Sequence, residues 1–504
     1  MNARYLFLFV LGALMWLAAC KEDNPVPMSP PDTRLFVDQI DRSGDERLQS
    51  LVHLYWSGDD KDGIVVGYEI SLDNANWNFV TRTDSVFSFT VTTDSDTADI
   101  NFWVRAKDND DLLDPTPAYI KIPIRNTPPE AAFDSTFFAL DTHRVVFTLG
   151  LSAFDVDGAI TLDRVEIKAN AGSWLTLPAT TSILSLVPDQ PEATGQVAAS
   201  VYTGTDSRNA NLKLDGLNLN GPNTFYLRAA DQGGLYSIID TSSSVVLLNK
   251  KADWMVFDLW RQSSSFIAGR LRPIALYQSI LTSAFGAYDY MDLTDDTKVL
   301  PLRLTTLNLL MKLYPKVFLF TNRGDGEVAF VNSFEEAIQN YLTGGGKLLL
   351  NVPYAIGTPD PEDPFNTPSF ESLFLYSPAD SVSSVNINGV IPVEGKLNPD
   401  PVSASAYPVL SNGSRLGTSP SGSLITRVNP YYLKAGASAI YRAEVENSIP
   451  QTQGPWVAST VVIARLQNQN NKTNIIYSSV PLHEVNGNSN LSVFFEQVAR
   501  EFQW

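Results

Sequence analysis

Tyr55-Trp56-Ser57-Gly58-Asp59-Asp60-Lys61-Asp62-Gly63 runs directly into Ile64-Val65-Val66-Gly67-Tyr68-Glu69-Ile70-Ser71, with Trp77 beyond. The same grammar returns later in the chain. Leu151-Ser152-Ala153-Phe154-Asp155-Val156-Asp157-Gly158 precedes Val165-Glu166-Ile167-Lys168 and then Trp174. A second pair of segments follows in the same order, Phe102-Trp103-Val104-Arg105-Ala106-Lys107-Asp108 against Phe225-Tyr226-Leu227-Arg228-Ala229-Ala230-Asp231. Two matching anchors at comparable spacing make this an internal repeat. Each copy alternates apolar and polar residues at the strand period, and its Asp-Gly pairs read as hairpin-type turns. Tyr68 and Ile70 are expected to face a core filled by Trp56 or Trp77.

Short strands, turn clusters and the lack of a helical period indicate an antiparallel sandwich in each copy. The two copies resemble fibronectin type III and related immunoglobulin-like modules, over residues 33–125 and 126–249. Asn126-Thr127-Pro128-Pro129 reads as a stiff joint between them. The second copy is expected to depart from the pattern between Ile183 and Gly221, where a polar, Asn-rich stretch looks like an insertion.

After Lys251 the grammar changes to alternating strand and helix. Trp254–Asp258, Tyr288–Leu293, Lys316–Thr321, Lys347–Asn351 and Thr473–Ser479 are compact strand-like runs. Between and after them, Pro273–Phe285, Ser333–Leu342 and Leu491–Phe502 carry apolar residues at helical spacing. Ser333 with Glu336 makes a capping-box pattern. Near-continuous apolar strands alternating with helices predict a parallel sheet covered on both faces. The fold class is therefore multidomain: two antiparallel β-sandwiches followed by a doubly wound, flavodoxin-like α/β domain over 250–504, with a β-rich insertion at about 378–455.

The order of elements, Tyr341-Leu342-Thr343-Gly344-Gly345-Gly346-Lys347-Leu348-Leu349-Leu350 and the terminal Ser479-Val480-Pro481-Leu482-His483-Glu484 make this last region similar to class I glutamine amidotransferase-like domains. That resemblance implies a cysteine nucleophile at a strand-to-helix elbow, a histidine and a glutamate. Here the segment after the matching strand is Val352-Pro353-Tyr354-Ala355, without cysteine, and His483 and Glu484 are adjacent. Neighbours on an extended segment point to opposite faces, so Glu484 is not expected to orient His483. No Gly-x-Ser-x-Gly elbow offers a serine instead. The domain reads as a non-catalytic relative. Its candidate ligand crevice lies at the carboxyl ends of the strands, at Asp258, Asn322, Arg323, Asp325, Asn351, Tyr354 and His483.

The only cysteine, Cys20, closes the apolar leader Tyr5–Ala19, which begins after Arg4 and ends in Leu17-Ala18-Ala19. The leader is shorter than the ~20 apolar residues that span a bilayer, and its small residues before the cysteine resemble a bacterial lipoprotein signal. Residues 1–19 would be removed, Cys20 lipidated, and residues 20–32, with Pro25, Pro27, Pro30 and Pro31, would form a tether. Lys21-Glu22-Asp23 resembles the export tag of Bacteroidetes surface lipoproteins. The expected location is the outer membrane, with the cell surface favoured over the periplasmic face. Lipidation of Cys20 removes disulfide, thiol-nucleophile and thiolate-metal chemistry from the folded part.

A formal net charge of −19 argues against nucleic acid and anionic lipid surfaces as partners, since phosphate binding requires clustered Lys and Arg. Asp60-Lys61-Asp62-Gly63 and Asp155-Val156-Asp157-Gly158 place paired carboxylates before a glycine, as calcium loops do, and Asp108, Asp110 and Asp111 could join the first pair. Without a full twelve-residue loop, turn formation accounts for both, and no metal or other cofactor is expected. His53 and His143 stand alone. The expected function is that of a membrane-anchored, non-catalytic binding or structural protein whose partners are envelope or extracellular proteins. The alternative is a surface glycan-binding or glycan-processing protein, with Trp254, Trp260 and Trp456 as candidate aromatic platforms.

Overall fold

The computed structural model describes residues 28–37, 42–43, 47–89, 91, 96–260, 273–293, 304–321, 335–352, 377–382, 389–392, 395–402, 405–412, 426–447, 454–468 and 470–503. Cys20, its leader and most of the tether lie outside them. The chain divides into two compact units. One joins residues 1–130 to 153–164 and 229–238; the other holds 131–152, 165–228 and 239–504.

In the first copy of the repeat, strands Asp32–Val37, Leu51–Asp59 and Asp84–Ser88 form one sheet in that order. The other sheet runs Ala118–Arg125, Thr97–Asp108, Val65–Ser71, Asn78–Val80. The second copy repeats both orders. Glu130–Phe133, Phe147–Phe154 and Ile183–Pro188 are neighbours in one sheet, and Asp240–Thr241, Phe225–Asp231, Leu162–Ala169 and Leu175–Pro178 in the other. This is the strand order of a fibronectin type III-like sandwich.

Leu51–Asp59 buries every second residue, so Val52, Leu54 and Trp56 face Phe102, Val104, Ile122 and Ile124 of the opposite sheet. Of the two candidate tryptophans it is Trp56 that fills the core, its ring lying 6.2 to 6.4 Å from those of Tyr68, Phe87 and Phe102. Burial of about 150 Å² of apolar ring surface there contributes roughly 4 kcal/mol of transfer free energy.

Two expectations need correction. The Asp-Gly turns are not hairpins: Leu51–Asp59 and Val65–Ser71 lie in different sheets, as do Phe147–Phe154 and Leu162–Ala169. Each turn carries the chain across the sandwich, because both strands it joins have an apolar face to bury. The departure expected over Ile183–Gly221 is narrower than that range. Ile183–Pro188 matches Asp84–Ser88 of the first copy, and the additional element is a hairpin, Gly195–Thr203 with Arg208–Leu219, that extends the same sheet.

In the α/β part the strands of the main sheet are numbered β1 (Trp254–Leu259), β2 (Asp289–Asp292), β3 (Lys316–Thr321), β4 (Lys347–Asn351), β5 (Lys396–Pro399), β6 (Leu410–Ser411), β7 (Ala437–Ala443), β8 (Val461–Gln467) and β9 (Thr473–Ser478). The helices are α1 (Pro273–Phe285), α2 (Leu304–Lys312), α3 (Glu335–Thr343) and α4 (Leu491–Glu501). The sheet order is β2-β1-β3-β4-β9-β8-β7-β5-β6, parallel through β9 and antiparallel beyond. Counting only the parallel strands along the chain, this is the 2-1-3-4-5 order of flavodoxin-like folds. The β-rich insertion supplies β5, β6 and β7, which continue the sheet instead of forming a separate body.

Alternate residues of β1 serve the two faces. Met255 and Phe257 pack with Leu310, Leu319 and Ile338, whereas Trp254 and Val256 pack with Tyr277, Phe318 and Phe495. The glycine run ends α3 as its sequence suggests: Gly345 takes φ +89°, and the amide of Gly346 donates to Tyr341 O at 2.9 Å. A Cβ on Gly346 would sit 2.3 Å from the Tyr341 ring, so this close approach also requires glycine. Val145, Val146 and Val187 of the second sandwich lie in the same core as α2 and α3. The Arg144–Asp289 ion pair at 3.0 Å and a Thr306-to-Thr148 hydroxyl hydrogen bond at 2.5 Å bind the two parts further.

Candidate functional site

The carboxyl ends of β1, β4 and β9 bring Asp258, Asn351 and His483 into one connected network. All three are buried. Asp258 Oδ1 accepts from the Trp260 amide at 2.9 Å and Oδ2 from the Tyr290 hydroxyl at 2.7 Å. Asn351 Nδ2 donates to Val480 O at 2.6 Å and to Ser478 O at 3.3 Å, while Oδ1 accepts from the Leu482 amide at 3.2 Å. The His483 ring stands edge-on to Trp260 at 4.9 Å and to Tyr277 at 6.3 Å. Three of the seven crevice positions read from the sequence thus lie together, with the Asn351 side chain holding the 478–483 turn against the end of β4 and Asp258 bonded to the Trp260 amide and the Tyr290 hydroxyl. Asn322, Arg323, Asp325 and Tyr354 lie outside the described residues.

Leu482–Glu484 is a single 3₁₀ turn, not the extended segment expected. Even so, His483 Nε2 and Glu484 Oε1 are 4.0 Å apart, beyond hydrogen-bonding distance. Trp254 and Trp260 are core residues at 3% and 5% exposure, which removes both as glycan platforms. Trp456 is half-buried and donates through Nε1 to Ser459 O at 2.9 Å.

A cavity of ≈ 360 Å³ lies beside the edge strand β2, walled by Leu140, His143, Leu248, Met291 and Leu293 among others. Arg144 on its wall pairs with Asp289 and donates to Tyr290 O. His143 Nε2 contacts Leu140 O at 3.1 Å, and burial lowers the imidazole pKa to about 4. His53 is not solitary: Nε2 is 2.8 Å from Asp84 Oδ2 and Nδ1 is 2.9 Å from the Tyr55 hydroxyl.

The repeat also builds a paired cluster that periodicity alone did not single out. Arg105 donates through Nε and Nη2 to Glu69 Oε2 at 2.8 and 2.6 Å, with its guanidinium 4.0 Å from the Trp77 ring centre. In the second copy Arg228 contacts Glu166 at 2.7 and 2.6 Å and stands 4.4 Å from Trp174. The signal was present: both Glu-Arg-Trp sets occupy matching positions of the two copies.

The Asp-x-Asp-Gly loops share their wiring as well. In each, the first Asp accepts from the amide of the second, at 3.4 Å for Asp60 and 2.9 Å for Asp155. In each, the second Asp accepts from an incoming linker amide, Ser29 to Asp62 at 2.9 Å and Thr127 to Asp157 at 2.7 Å. Ser29-Pro30-Pro31 and Thr127-Pro128-Pro129 are therefore equivalent, and each copy begins with them. Asp108 and Asn109 do approach the first loop, Asn109 Oδ1 accepting from Ile64 N at 2.7 Å. Asp60 and Asp62 keep solvent contact, whereas Asp155, Asp157 and Asp231 are 5%, 1% and 1% exposed. Among the described residues no three His, Cys, Asp or Glu side chains are arranged to hold a metal ion.

No protein-family model and no curated protein matches the chain. Solved structures similar to it include the fibronectin(III)-like modules of Clostridium thermocellum CbhA, at 10% identity over 43% of this chain and 94% of that one, with a TM-score of 0.16. The chicken interferon gamma receptor alpha chain is 8% identical over 44% of this chain and 98% of that one, with a TM-score of 0.16. A Ca²⁺-stabilized adhesin of an Antarctic bacterium is 11% identical over 45% and 76%, with a TM-score of 0.14. The fold assignment rests on the strand order itself: tandem fibronectin type III-like modules ahead of a mixed α/β domain.

Proposed function

We propose that this chain is a lipid-anchored lipoprotein of the outer membrane that acts outside the cytoplasm as a non-catalytic binding or structural protein. Cys20 carries the lipid, and the two sandwiches present the α/β domain to envelope or extracellular protein partners. The surface-facing side of the membrane is the favoured location, from Lys21-Glu22-Asp23. One observation carries the non-catalytic part: Asp258, Asn351 and His483, at the strand ends where doubly wound folds place their ligands, are buried and engaged with the domain's own backbone and rings. A general base or nucleophile must instead reach a substrate atom within hydrogen-bonding distance. The test is the purified mature chain, assayed for amide, ester and glycoside hydrolysis beside its His483→Ala variant. The reading expects no turnover in either. Turnover that the substitution abolishes would overturn it.

A further inference from the structure

Asp155, Asp157 and Asp231 are each more than nine-tenths buried at one end of the second sandwich, within the first compact unit. No cation faces them: among the described residues none of the three has an ion-pair partner, and only hydrogen bonds offset their burial. Asp231 is fully used, Oδ2 accepting from Asn126 Nδ2 at 2.8 Å and Oδ1 from the Leu235 amide at 2.9 Å. The other two are not. Asp155 Oδ1 and Asp157 Oδ2 are bonded, but Asp155 Oδ2 and Asp157 Oδ1 are buried without a hydrogen-bond partner. The Ser50 hydroxyl, on a residue 2% exposed, lies beside the Asp157 carboxylate and lowers its pKa, without closing a hydrogen bond of ordinary length and angle. The Thr161 and Ser50 hydroxyls beside these carboxylates offset only part of their burial; buried carboxylate oxygens without a cation or a well-formed hydrogen bond are costly, and a bound cation is one compensation.

We propose that this loop is a calcium site, in which Asp155 Oδ2, Asp157 Oδ1 and the Ser50 hydroxyl bind one Ca²⁺, with backbone and water oxygens completing its shell. The donors are all hard oxygens, which suits Ca²⁺ and not the softer transition metals. With no third acidic, imidazole or thiolate ligand at hand, the charge count is low, so affinity belongs to the weak class of extracellular modules, a Kd of about 10⁻⁴ to 10⁻³ M. The ion would join three segments: the loop itself, the Asn126-Thr127 linker already bonded to it, and Ser50 of the first sandwich. The matching loop of the first sandwich has solvent for its carboxylates and carries no such demand.

The test is calorimetric titration of the chelator-treated, full-length mature chain with CaCl₂ in 0.15 M NaCl. One saturable site is expected, and the melting temperature rises at 10 mM Ca²⁺ but not at 10 mM Mg²⁺. Asp157→Asn or Asp155→Asn weakens binding at least tenfold; Ser50→Ala, which leaves both carboxylates in place, weakens it several-fold. The Asp60→Asn/Asp62→Asn double variant binds like the parent. Absence of a saturable heat in the parent overturns the proposal. So does a site that survives Ser50→Ala and either Asp variant unchanged, or one lost only in the double variant.

Discussion

Replacing Asn351 by alanine separates a structural crevice from a functional one. The side chain makes three hydrogen bonds, two from Nδ2 to Val480 O and Ser478 O and one from the Leu482 amide to Oδ1. Two partners stay satisfied without it, since Val480 O also accepts from the Ser478 hydroxyl and Ser478 O from the Val352 amide. The Leu482 amide, on a fully buried residue, loses its acceptor. An orphaned buried donor costs about 1–3 kcal/mol and the lost bonds about 1 kcal/mol more, giving roughly 2–4 kcal/mol. Because a multidomain chain need not unfold in one step, the readout is hydrogen exchange of the 473–485 segment across a urea series. Its midpoint falls by roughly 1 M. Asn351→Asp retains the acceptor for Leu482 but turns a carboxylate toward two carbonyls; that carboxyl's pKa rises on folding, so the defect is fully present at pH 7 and shrinks as pH falls. An Asn351→Ala protein with an unchanged midpoint and a lost binding activity would refute the reasoning.

Other predictions concern the sandwiches. Double-mutant cycles on Glu69/Arg105 and Glu166/Arg228 give coupling of about 1 kcal/mol in the first copy and nearer 2 kcal/mol in the second, where the glutamate is more buried; coupling within about 0.3 kcal/mol of zero in both would contradict the shared role. His143 supplies a pH signature, because burial lowers its folded pKa to about 4 while the unfolded chain titrates near 6.5. The unfolded state binds the extra proton in that window, so stability present above pH 6.5 is lost progressively toward pH 4, by roughly 2 kcal/mol between pH 7 and pH 4.5. A His143→Gln variant shows that much less acid sensitivity in urea melts at pH 7 and pH 4.5, and identical slopes would count against the buried neutral ring.

Much of the architecture was legible because it rests on periodicity and on repetition. Trp56, the alternating strands and the matched Asp-x-Asp-Gly and Arg-Ala segments marked two copies of one sandwich, and the apolar runs at Trp254, Lys316 and Lys347 marked the buried parallel strands. What sequence did not give was connectivity across space. Asp-Gly suits a hairpin and a sheet-to-sheet crossing alike, since glycine tolerates the positive φ that either can use, as Gly158 does at φ +128°. The Asn-rich stretch between Ile183 and Gly221 read as an insertion without a stated structure, and it is pairing with a neighbouring strand that makes residues 195–219 a hairpin of the same sheet. At the crevice the sequence named Asp258, Asn351 and His483 and placed them together. Their burial was not legible, since the His483 ring packs against Trp260 and Tyr277, which arrive from separate segments.

The central claim is a chain tethered by its one cysteine, and mass spectrometry of the N-terminal peptide from the membrane fraction tests it most directly. The account predicts a peptide that begins at Cys20 and carries acyl chains, and a Cys20→Ala protein that leaves the membrane fraction. An unmodified Cys20 in a chain that still starts at Met1, or a Cys20→Ala protein still lodged in the membrane, would contradict it.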